Sequence, residues 1–226
     1  MHGLQDPARR HRLFPFAAFM AVLALRSLVP EAPLLARGFD PRWLYAVQAG
    51  LAGGLIVWWW REFTELLARP TVREALVSIA VGVAVWWIWV RLDEPWMRIS
   101  EPSNPFNPVD ATGQVLWGLI ALRWLGAVLV VPLMEELFWR SFLMRWIESH
   151  DFINVDARRV GVKAVVLSTF VFTLAHTEWL AAAIAGLAYA LLYRWSGKLW
   201  TAVLAHAVTN AVLGTWVVMW GHWGFW

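Results

Sequence analysis

The stretch Thr112-Gly113-Gln114-Val115-Leu116-Trp117-Gly118-Leu119-Ile120-Ala121-Leu122-Arg123-Trp124-Leu125-Gly126-Ala127-Val128-Leu129-Val130-Val131 ends at Pro132 and carries one charge in twenty positions. A hydrocarbon core about 30 Å thick takes about 20 helical residues, so this run has the length and polarity of a membrane-crossing helix. Similar runs stand on both sides of it, at 13–30, 43–60, 74–90, 161–176, 179–193 and 199–220. Between Pro132 and residue 149 the pattern is that of a short amphipathic helix, which crosses, dips or re-enters. The expected fold is all-α, a polytopic transmembrane helix bundle with seven to eight membrane helices. No repeat or long linker divides the chain, so 1–226 reads as a single membrane domain.

Composition points the same way. Of the 226 residues, 60% are hydrophobic and 15% are charged, against about 25% charged in ordinary soluble domains. The 19 Trp suit the bilayer–water boundary, where the ring is buried and the N–H stays wet. The net charge of +3 is spread between apolar runs and forms no basic face, which argues for membrane lipid and against nucleic acid as a partner. The absence of Cys excludes disulfides, thiolate nucleophiles and Cys-bound metals.

The first run follows Arg9, Arg10 and Arg12 but lacks a clean small-residue cleavage site, so it reads as an uncleaved anchor. With a cytoplasmic N-terminus and a non-crossing 133–149 helix, 13 Lys and Arg fall on inside segments. Only Arg37, Arg42, Arg91 and Arg98 fall outside. That split obeys the positive-inside rule.

Ionisable groups at membrane depth are costly and call for a reason. Three sites stand out. Glu135 and Glu136 open the helix after Pro132, and Glu136 and Arg140 are spaced to pair on one face in the favourable acid-first order. That leaves Glu135 without a partner in its segment. Phe172 and His176 share a face at the end of the 161–176 run. His206 and Asn210 share a face inside the last run. Taken singly, each site also fits an interfacial group or inter-helix glue. Together they place a carboxylate, two imidazoles and an amide on separate helices. Such a set can activate water with a carboxylate base and steady an oxyanion with donors.

The order Glu135-Glu136…Arg140, Phe172…His176, His206…Asn210 resembles the motifs of the CAAX-protease and bacteriocin-processing (CPBP, or Abi) family of intramembrane proteases. The resemblance covers about 112–220, the CAAX-protease-like core, and leaves 1–111 as N-terminal helices without a motif. It implies an intramembrane endopeptidase in which Glu135 and His176 activate water, and His206 and Asn210 form the oxyanion hole. Glu136, Arg140 and Phe172 would support them. Ser141 stands where many members have Gly. The wording around Glu135 is also similar to an exosortase-associated group, which would place the protein in a bacterial inner membrane, acting on a peptide or protein substrate.

Other peptidase chemistries lack their residues. The chain has no His-Glu-x-x-His and no Gly-x-Ser-x-Gly. Its Asp residues, at 6, 40, 93, 110, 151 and 156, lie in loops or at run edges. No cofactor is expected, although Glu135, His176 and His206 are a plausible zinc set with an open position for water. A transporter, in which intramembrane Glu and His would relay protons and which Arg123 in the fourth run would suit, and a non-catalytic binding or immunity protein of the same fold are the other readings.

Overall fold

The computed structural model describes residues 6–28, 38–100, 106–110 and 112–226. Among these residues the chain is helical, with one isolated β-bridge between Val109 and Val115. Seven helices follow in order: α1 Pro7–Leu28, α2 Leu44–Trp58, α3 Val72–Trp89, α4 Trp117–Glu148, α5 Val162–Leu174, α6 Trp179–Ser196 and α7 Leu199–Trp220. Of these, α3, α4 and α7 are long and apolar enough to cross a membrane, and α5 is a shorter apolar helix. By that measure three crossings qualify, against the seven to eight expected.

Local signals set the boundaries. Before α3, the Thr71 hydroxyl accepts from the Glu74 backbone N–H while the Glu74 carboxylate accepts from Thr71, a reciprocal capping box. Before α4, Asp110 Oδ1 accepts from the backbone of Thr112 and Gln114. That turn holds 112–116 out of the helix, so α4 starts at Trp117, five residues after the apolar run begins. After α6, Gly197 adopts φ +71°, a left-handed cap that favours glycine.

The expectation that Pro132 stops the fourth run is corrected. The helix passes through Pro132 and continues to Glu148, so 112–131 and 133–149 are not separate elements. Its 32 residues span up to about 48 Å at about 1.5 Å each. The continuation rests on a change of register. Gly126–Val130 is π-helical, and the Val131 N–H bonds to Gly126 O. Proline has no N–H, so in this register Ala127 O loses its partner. Asn210 of α7 supplies one, its Nδ2 donating to Ala127 O at 2.8 Å. A second π segment covers Leu137–Met144.

Helix α7 packs extensively against both α3 and α4. Gly82 makes the approach of α3 possible, because a Cβ there would lie 2.5 Å from Ala205 O. The main apolar core draws buried side chains from α2 through α7, including Ile56, Val85, Met134, Tyr189 and Val203.

Beneath one end of α4 lies a buried charge network. Arg12 of α1 grips both carboxylate oxygens of Glu65 at 2.7 and 2.6 Å. Ser141 Oγ donates to the same carboxylate and accepts from Arg145 Nη2 at 2.7 Å. The rings of Phe63 and Phe152 flank the Arg12 guanidinium. Arg12 and Ser141 are fully buried. The Ser141 hydroxyl therefore joins α1, the 3₁₀ turn Thr64–Leu66 and α4.

Candidate functional site

The core of α4 brings the two carboxylates to different environments. Glu136 is 0% exposed and Arg140 2%. Arg140 Nε approaches Glu136 Oε2 at 3.1 Å as an ion pair, but the N–H is not aligned for a hydrogen bond to that oxygen. The other oxygen, Oε1, accepts from His206 Nδ1 at 2.9 Å. Arg140 Nη2 donates to Gly186 O at 3.0 Å. Its guanidinium carbon lies 4.6 Å from the Phe172 ring centre, a cation–π contact. Glu136 is thus fixed between α4 and α7.

Glu135 points elsewhere. It is half-buried, and its Oε2 is buried with no hydrogen-bond partner among the described residues. It lines a cavity of about 140 Å³ together with Phe172, His176, Tyr189, His206 and Asn210. The cavity therefore brings together Glu135, His176, His206 and Asn210 from α4, α7 and the end of α5. Arg140 and Glu136 stand behind its wall rather than in it.

Each imidazole has one nitrogen assigned by its neighbour. His176 Nδ1 lies 2.8 Å from Phe172 O, a backbone acceptor, so Nδ1 carries the proton and Nε2 presents a lone pair. The Phe172 ring also packs on His176, at 4.3 Å between centres. One residue thus seats both His176 and Arg140, which accounts for the four-residue Phe-to-His spacing. His206 Nδ1 is turned to Glu136, leaving Nε2 for the cavity. Its ring is stacked on Tyr189, 5.0 Å between centres and 17° from parallel.

Tyr189 and Thr209 were not picked out by their residue types. The Tyr189 hydroxyl donates to Thr209 Oγ1 at 2.7 Å. Thr209 Oγ1 lies 2.9 Å from Gly82 O and 3.0 Å from Ala205 O, with one proton to share between them. This bond anchors the far end of the Tyr189 side chain while its ring stacks on His206. A Tyr three residues past Gly186 on a small-residue helix face is ordinary core chemistry, and only the fold shows what it faces.

Asn210 keeps one Nδ2 proton on Ala127 O and has a second to offer. Glu135, His176 and His206 share the cavity, but no three His, Cys, Asp or Glu side chains among the described residues form a metal-binding group as placed.

Comparison with known proteins finds a similarity over the segment that carries these residues. Residues 117–212 match the model of the type II CAAX prenyl endopeptidase Rce1-like family. The matched segment begins with α4 and contains every motif residue from Glu135 to Asn210. Curated proteins and solved structures give no match.

Proposed function

Proceeding from the Rce1-like segment at 117–212, we propose that the chain is an intramembrane endopeptidase that hydrolyses a peptide bond with water activated by Glu135. The observation that carries this reading is the unpartnered Glu135 Oε2 on a cavity shared with His176, His206 and Asn210. In the reaction, Glu135 takes a proton from a water held by the His176 Nε2 lone pair. The hydroxide adds to the scissile carbonyl carbon. The free Asn210 N–H donates to the oxyanion, and so does His206 Nε2 when that ring carries both protons. Glu136, at 2.9 Å from His206 Nδ1, compensates the added charge. Glu135 returns its proton to the leaving amine as the carbon–nitrogen bond breaks, and it is ready for the next water. Arg140 and Phe172 keep Glu136 and His176 in place and touch no reacting atom.

The protein would act on a peptide or protein substrate in a bacterial inner membrane, with its N-terminus cytoplasmic. The distribution of Lys and Arg between apolar runs supports the cytoplasmic N-terminus. The similarity of the wording around Glu135 to an exosortase-associated group supports the bacterial inner membrane.

Metal dependence is decided by stripping purified protein with a strong chelator and assaying a cleavable peptide. The expected result is full activity without added metal. Activity that disappears on stripping and returns only with zinc would make Glu135, His176 and His206 ligands. A protein inert under all conditions, yet binding the peptide, would be a binding protein of the same fold.

Asn210→Ala separates two duties of one side chain. Loss of one oxyanion donor lowers the rate by about 10²–10³. Exposing Ala127 O without a partner costs about 1–3 kcal/mol of stability. Both the peptidase rate and the unfolding midpoint should fall. A stability loss with an unchanged rate would remove Asn210 from the chemistry.

A further inference from the structure

A second polar centre lies away from the cavity. Arg123 follows Trp117, the first residue of α4, by six positions, or about 9 Å along the axis. Its guanidinium carbon lies 5.0 Å from the Tyr45 ring centre, 4.8 Å from that of Phe106 and 5.8 Å from that of Trp226. Among the described residues it has no carboxylate partner and no hydrogen bond. Aromatic faces favour a cation but accept none of the five guanidinium N–H groups in its plane.

Two further observations converge there. The Tyr45 residue is 8% exposed, and its hydroxyl is buried without a partner among the described residues. It rests against Gly126, where a Cβ would lie 2.8 Å from the hydroxyl oxygen. Arg26, in the last turn of α1, is within electrostatic reach of Arg123. Asp40, which also feels Arg26, is already gripped by Arg42. The locality therefore holds two cations and a spare hydroxyl donor, with no free acid facing them among the described residues.

We propose that Arg123, with Arg26 and the Tyr45 hydroxyl, holds the phosphate of an anionic phospholipid. The planar fork of Arg123 fits phosphate oxygens in pairs. Lipid is favoured over a peptide carboxylate because none of these residues lines the catalytic cavity. Leu25, beside Arg26 in the chain, and Trp117 and Leu125, on the same helix as Arg123, are 61%, 65% and 49% exposed, so apolar side chains near the site along the chain are open to lipid. The proposal does not depend on the hydrolytic reading.

The test uses the full chain purified in detergent, with bound lipids counted by native mass spectrometry during titration with phosphatidylglycerol or phosphatidylcholine. Wild-type protein is expected to retain one phosphatidylglycerol in preference to phosphatidylcholine. R123Q should weaken that binding by about tenfold or more, since the lost bonds are charge-assisted. R123K, keeping charge without the fork, should fall between them. If R123Q does not fold, R26Q and Y45F carry the test, each expected to weaken binding several-fold. Equal retention by wild type and all variants would overturn the proposal. So would equal retention of the two lipids, or displacement of the lipid by millimolar inorganic phosphate. An Arg123-dependent preference for peptides with a free over an amidated C-terminus, without a change in lipid binding, would assign the site to substrate instead.

Discussion

Glu135→Gln is expected to lower peptide hydrolysis by about 10²–10⁴-fold, the usual contribution of a general base, and to leave the fold intact. Glutamine has the same shape but cannot take a proton from water. The Glu135 Oε2 has no hydrogen-bond partner among the described residues, so little structure depends on its charge. Glu136→Gln should behave in the opposite order. Glu136 is the carboxylate between Arg140 and His206. Removing it leaves a buried guanidinium uncompensated, which costs about 3–5 kcal/mol. Purified variants, each measured for rate and for thermal unfolding in the same detergent, separate the two. A Glu135→Gln protein that unfolds, beside a folded and active Glu136→Gln protein, would reverse the assignment.

The second large effect belongs to Glu65, far from any motif. Glu65→Gln removes the acid that faces Arg12 at 2.6 Å and Arg145 at 3.8 Å. Two buried cations would then confront each other, and the expected destabilisation is about 3–5 kcal/mol. The same residue predicts a pH dependence. Burial works to raise the Glu65 carboxyl, but hydrogen bonds and charge from Arg12, with Ser141 adding to them, outweigh it and hold the group below its ordinary 4.5. The unfolded chain therefore binds this proton more readily than the folded one. Its stabilising contribution is complete above about pH 4.5 and is lost as pH falls through the folded-state value. Unfolding midpoints from pH 7 down to 3 should show that loss in wild type and a flatter acid limb in Glu65→Gln. Parallel limbs would show that Glu65 is not the group responsible.

Much of the site is legible in the sequence because polar residues are conspicuous in apolar runs. Glu135, Glu136, His176, His206 and Asn210 attract notice by cost alone, and spacing of four pairs Glu136 with Arg140. Spacing did not show that His206 turns its Nδ1 to Glu136, because that contact joins residues 70 apart. Nor did composition separate Tyr189 from its core neighbours. Pro132 misled the reading of boundaries. A proline ordinarily ends a helix through its missing N–H, but here a π segment and the Asn210 amide take up the lost bond. Arg12 looked like a flanking charge for topology, and Ser141 like a minor replacement of Gly. Both are instead buried at a junction between helices that are distant along the chain.

The Asn210–Ala127 bond also bears on how the protein is made. The carbonyl it satisfies lies on α4, whereas Asn210 and His206 arrive on α7, the last of the helices among the described residues. A nascent chain that has not yet released α7 carries both carboxylates but lacks His206 and Asn210, the proposed donors for the oxyanion. On the proposed chemistry it cannot cleave its neighbours in the translocation machinery. Docking of α7 brings Asn210 to the carbonyl left open by Pro132, and on the proposed chemistry the same event supplies the last donors, so that activity would begin only with the assembled bundle.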